Sequence, residues 1–184
     1  MFYNSLYGGT VGHPALGPGS DYEDPDHPGR FNGAEVGGYR LNPAESLLSS
    51  WDGSIPVSDL ESWRAPEVAR AYVREALDSD DTSATRTPPS FRAPTGALED
   101  SFYLACGRQL WDASLITAAA LLIRSERDFW SRPEDAQLLS EHLVHSARVE
   151  SVLVPRATHY VHLDRPTAGR DLYLQKVLAF LADS

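Results

Sequence analysis

At 184 residues, 42% hydrophobic and 23% charged, the chain is long enough to bury one core and too short for two ordinary domains. A net charge of −10 excludes a general nucleic-acid footprint. The lone cysteine, Cys106, excludes an intrachain disulfide and suits a reducing compartment, and no run reaches the roughly 18 apolar residues of a membrane span, so the expectation is a cytoplasmic protein without a membrane or nucleic-acid partner.

Residues 1–7 (MFYNSLY) are apolar and aromatic and break at Gly8-Gly9, which predicts a strand followed by a turn. Residues 10–42 are rich in Gly, Pro, Asp and His without a sustained period and read as loop. The acidic run Asp21-Tyr22-Glu23-Asp24-Pro25-Asp26-His27 lacks the midway Gly and closing Glu of an EF-hand loop, so it reads as a solvated loop and no metal or cofactor is expected. Residues 43–51 predict a short helix. Residues 65–78 predict a longer one, with Val68, Ala69, Tyr72, Val73, Ala76 and Leu77 on one face. The polar, Pro-rich residues 79–94 read as loop, and Thr95 can cap a helix through Leu98, Phe102 and Cys106 to a stop at Gly107. Trp51, Trp63, Phe91, Phe102, Tyr103 and Trp111 suit either an ordinary helical core or the walls of an apolar pocket, with core the better reading. Cys106 has no activating neighbour and reads as a small core residue.

The stretch over residues 117–162 carries the chemistry. Residues 119–124 (AALLIR) form a run of buried-strand length that empties into Ser125-Glu126-Arg127-Asp128. Ser131-Arg132-Pro133-Glu134 then opens a helix, with Ser131 as cap, Glu134 reaching back, and Ala136, Leu139 and Leu143 on its apolar face. Residues 149–154 (VESVLV) are a second strand, and Pro155-Arg156-Ala157-Thr158-His159 turns off its end. Two strands joined by a helix lie parallel, so Asp128 and His159 emerge on the same sheet edge, where open α/β sheets place their ligands. Residues 170–181 close the chain as a helix with Leu174, Val177, Leu178 and Leu181 on one stripe, expected to pack beside the helix that starts at Ser131.

These segments resemble the C-terminal part of an α/β-hydrolase: LLIRSERD is similar to that family's strand-then-acid signature, and VLVPRATHYVHLDRP to its strand-then-histidine signature. The family often has Gly where Ser125 stands and Pro where Ala119 stands. The resemblance implies an α/β fold with about three parallel strands, flanking helices and a helical lid. It implies that Asp128 is the triad acid and His159 the base, with Glu126 and His162 as rivals and His145 an ordinary helix-end residue. Residues 1–12 would then be a first strand and turn, 13–112 a lid-like region, and 113–184 a βαβα segment carrying the acid and histidine. No G-x-S-x-G nucleophile motif occurs; Gly8-Gly9-Thr10-Val11-Gly12 is G-x-T-x-G followed by a Gly/Pro loop rather than a helix, and reads as a turn. The expected function is hydrolysis of small esters or related substrates, with the chain inactive alone for want of the nucleophile half. The alternative is a non-catalytic interaction module that pairs, with a second copy for example, through the open edge of its first strand.

Overall fold

A computed structural model describes residues 1–183. Three strands form a parallel sheet: β1 (Phe2–Tyr3), β4 (Ala120–Arg127) and β5 (Val149–Thr158), in the order β1-β4-β5. Between β1 and β4 lie a second, antiparallel pair, β2 (Tyr39–Pro43) and β3 (Ser90–Pro94), and the helices α1 (Gly33–Val36), α2 (Ser49–Ser54), α3 (Pro66–Asp78) and α4 (Gly96–Ala105). Helix α5 (Pro133–His142) crosses from β4 to β5, and α6 (Arg170–Ala182) closes the chain. The class is mixed α/β. No helix among the described residues is long and apolar enough to cross a membrane.

The central strand β4 is buried on both faces, which is why it reads as a continuous apolar run. Its alternate side chains feed two cores. Ala120 and Leu122 pack with Tyr7, Ala113, Leu139 and Leu143 under α5. Leu121 and Ile123 pack with Val154, Ala157, Val161 and Phe180 under α6. The two helices therefore cover opposite faces of the sheet, contrary to the expectation that they lie side by side. The stripe of α6 is also displaced: Tyr173, Val177 and Phe180 face the sheet, whereas Leu174, Leu178 and Leu181 are exposed. Apolar residues lie on more than one side of α6, so periodicity has no single face to choose.

Predicted residues 1–7 shrink to a two-residue strand, because Asn4 leaves extended geometry at φ +43° and turns the chain away. Tyr7 is fully buried, its hydroxyl accepting from Gln109 Nε2 at 2.6 Å. The predicted loops 10–42 and 79–94 each contribute a strand to the β2–β3 pair. Asp80 fixes β3: it accepts from Arg92 N, Arg92 Nε and Arg86 Nη1 at 3.0, 2.9 and 3.0 Å. The predicted helix 43–51 is a 3-10 turn at Ala44–Ser46 followed by α2. Trp51, Trp63 and Phe102 are buried core residues. Helices α2 and α3 share one cluster, of Trp51, Ile55, Trp63 and Tyr72, with Tyr160, Leu163 and Ala168 beyond the end of β5.

Candidate active site

Asp128 follows the end of β4 and His159 follows the end of β5, and parallel pairing brings the two ends together. His159 Nδ1 lies 2.7 Å from Asp128 Oδ1. The Asp128 side chain is fully buried, and that of His159 is 29% exposed. The ring is therefore anchored on its inner nitrogen with one side open to solvent.

A bulge sets this geometry. Ser125 pairs with Val154 and Arg127 with Thr158, so three residues of β5 oppose one of β4. Arg156 sits within it at φ +67°, its N–H donating to Glu126 Oε2 at 2.6 Å and its guanidinium 4.9 Å above the Trp63 ring. Glu126, the rival acid, is thus occupied on the outer side of the bulge. The extra residues lift Thr158 and His159 toward Asp128.

The acid is held from behind. Asp128 Oδ1 accepts from Trp130 N at 3.0 Å, and Oδ2 accepts from Ser131 N at 3.1 Å and from the Ser131 hydroxyl. Ser131 is therefore not the cap of α5. That position belongs to Arg132, whose N–H donates to Asp135 Oδ2 at 2.9 Å, and Asp135 rather than Glu134 closes the capping box. Asp135 also accepts from Tyr7 N and the Thr10 hydroxyl, at 2.7 and 2.5 Å. Thr10, the only hydroxyl in the G-x-T-x-G sequence, is fully buried in this structural role.

The histidine backbone is held too. The His159 carbonyl accepts from the Tyr3 hydroxyl and from Asn4 Nδ2. Asn4 also accepts from Ser125 N at 2.8 Å and so ties the end of β1 to the turn after β4. Burial pushes the Tyr3 phenol well above its ordinary range. One residue before the histidine, Thr158 donates through N–H and hydroxyl to Asp164, which is fully buried and also accepts from Trp51 Nε1 at 2.8 Å. Burial pushes the Asp164 carboxyl up, against the pull of those bonds. Tyr160 stacks on Trp51 at 5.4 Å, and burial takes its phenol to about 12.

The remaining candidates take no part in the Asp128–His159 contact, although His162 lies near it against Tyr3. His162 is exposed, edge-on to Tyr3 at 5.9 Å, and His145 is exposed in the turn after α5. Burial raises the Cys106 thiol, away from reactivity. In the acidic loop, Glu23 accepts from Gly19 N and Gly29 N, and Asp24 from Asp26 N and His27 Nδ1, so these carboxylates hold turns. No cluster of three or more His, Cys, Asp or Glu able to hold a metal occurs among the described residues.

Asn4, Ser131 and Asp164 support the pair, and sequence reasoning gave none of them that role. Ser131, three residues after Asp128, had a legible turn signal in its spacing; Asn4 and Asp164 act across long separations and had none.

No protein-family model, curated protein or solved structure matches this chain.

Chemically, a buried carboxylate on Nδ1 fixes the neutral imidazole with its proton there and leaves Nε2 as the base. It also stabilises the imidazolium that forms when Nε2 takes a proton. The arrangement can activate a hydroxyl or water brought to Nε2.

Proposed function

We propose that this chain supplies the acid and base of an α/β-hydrolase-type triad, acting on small esters or related acyl or carbon–halogen substrates. The observation that carries this reading is the 2.7 Å contact between His159 Nδ1 and the buried Asp128 carboxylate at neighbouring parallel strand ends. The strand order β1-β4-β5 supports it: acid after one strand and histidine after the next is the late-sheet arrangement of that family. On this reading the segment between β1 and β4 is the lid, and Trp51, Tyr72 and Tyr160 join it to the histidine loop.

The nucleophile comes from outside this sequence, because no G-x-S-x-G elbow lies within it and Thr10 is committed to Asp135. The chain alone therefore has no turnover. Purified protein should hydrolyse p-nitrophenyl acetate no faster than its His159→Ala variant. Mixing with a chain carrying a strand, a G-x-S-x-G turn and a helix should produce activity that needs both His159 and Asp128. Turnover by the isolated wild type above that variant would refute the need for a second part. Activity of the mixture independent of His159 would refute the assigned base.

A second reading, an interaction module, draws on β1. Among the described residues that two-residue strand is hydrogen-bonded to β4 alone and lies at the end of the sheet. Sedimentation showing concentration-dependent dimers, abolished by Tyr3→Pro, would favour this reading; a monomer at all concentrations removes it.

A further inference from the structure

A cavity of about 410 Å³ lies between the sheet and α5. Its walls are mostly apolar and include Phe2, Leu122, Ala136, Leu139 and Leu153. The volume falls in the range of ordinary small-ligand sites. Leu153 is exposed, so the cavity is reachable from solvent. One charged residue lines it, Arg124 of β4, which pairs in register with Leu153.

Some arginines elsewhere in the molecule have carboxylate partners. Arg64 is paired with Asp52, and Arg86 and Arg92 with Asp80. Among the described residues no carboxylate lies within ion-pair reach of Arg124. Its Nε is shut off from solvent and has no hydrogen-bond partner. A shielded donor left unpaired is destabilising. The molecule carries a net charge of −10, so carboxylates are abundant, yet none has been placed here.

From this we infer that the cavity binds a small monocarboxylate with an apolar body, its carboxylate on Arg124 and its body against Leu122, Ala136 and Leu139. Guanidinium and carboxylate match in planar, two-point geometry, and the low polarity of the surrounding walls strengthens the pair. The site is separate from the Nε2 side of His159. The two are linked through Ser131, which lines the cavity and donates to Asp128. The inference stands on the cavity and Arg124 and does not need the hydrolase reading.

Calorimetric titration with decanoate and with 1-decanol tests it on the full chain. Wild type should bind decanoate at least about tenfold more tightly than the alcohol, the scale of one charge-assisted hydrogen bond. Arg124→Met should erase that preference while decanol still binds, and Arg124→Lys should restore part of it. Ala136→Trp should fill the cavity and remove both. Equal binding of the two ligands, no decanoate binding to wild type, or decanoate binding unchanged in Ala136→Trp overturns the inference. The comparison of ligands on wild type decides the charge requirement even if a variant does not fold.

Discussion

Trp51 donates its indole N–H to Asp164 at 2.8 Å across 113 residues of sequence. This bond joins α2 to the loop that carries His159, because Asp164 also takes both donors of Thr158. Trp51→Phe leaves a fully buried carboxylate one donor short and should cost about 2–4 kcal/mol of stability. Trp63 is the control. It belongs to the same buried cluster, but its Nε1 has no hydrogen-bond partner, so Trp63→Phe loses packing and removes an orphaned donor. Urea denaturation should show the larger loss at Trp51. Equal losses would mean that the indole–carboxylate bond contributes nothing beyond packing.

Gly169 is the N-cap of α6, at φ +113° and pressed against the bulged strand. A Cβ there would stand 2.9 Å from Ala157 Cβ and 2.9 Å from Val154 Cγ1. Gly169→Ala therefore meets overpacking and left-handed strain together, and should cost about 2–5 kcal/mol. Gly12 has φ +70° and nothing within 4 Å of a built Cβ, so Gly12→Ala should cost about 1–2 kcal/mol from strain alone. Thermal midpoints of the two variants would separate the crowding from the strain.

Arg92, with Thr82, holds the Asp80 carboxyl far below its ordinary 3.8. A carboxylate depressed on folding contributes stability that is present above its unfolded value and lost as pH falls toward its folded one. Wild type should therefore lose stability progressively as pH drops below about 3.8. Asp80→Asn should start less stable at neutral pH and fall less over the same acid window. Denaturation midpoints at pH 7, 4 and 2.5 check both slopes; parallel slopes would remove Asp80 as an origin of the acid sensitivity.

What could be read from the chain depended on how local the cause was. Strand β4 was legible because its apolar run is buried through most of its length, and β5 and helix α3 because each keeps an apolar spacing on a face that is at least half-buried in part. Asp128 and His159 were legible because each ends such a run, and parallel pairing does the rest. The β2–β3 pair was not. Its sequences, YRLNP and SFRAP, are half polar, end in proline and are half exposed, and the pair is joined by ladder bonds while Asp80, from the turn after α3, fixes β3. The stripe of α6 was misplaced because Leu174, Leu178 and Leu181 are as apolar as the residues that face the sheet. The supports from Asn4 and Asp164 arise only when distant segments meet, and no spacing rule contains them.

The pair itself makes the last prediction. With its proton on Nδ1 facing Asp128, the neutral ring of His159 is the tautomer that is less common in free imidazole side chains at alkaline pH. The carboxylate enforces it: Oδ1 lies 2.7 Å from Nδ1, and the Asp128 side chain is shielded completely from solvent. Imidazole ¹⁵N spectra recorded above the titration of the ring should show the Nδ1–H form for His159. Exposed His145 supplies an internal reference for the ordinary mixture. In Asp128→Asn the amide can offer either a donor or an acceptor, the constraint is relaxed, and the Nε2–H form should gain population. Ser131→Ala leaves the carboxylate charged but removes one of the bonds behind it, and should preserve the Nδ1–H form while loosening the ring. An Nε2–H ring in the wild type would mean that Asp128 does not orient His159, and the assignment of His159 as a base would fall with it.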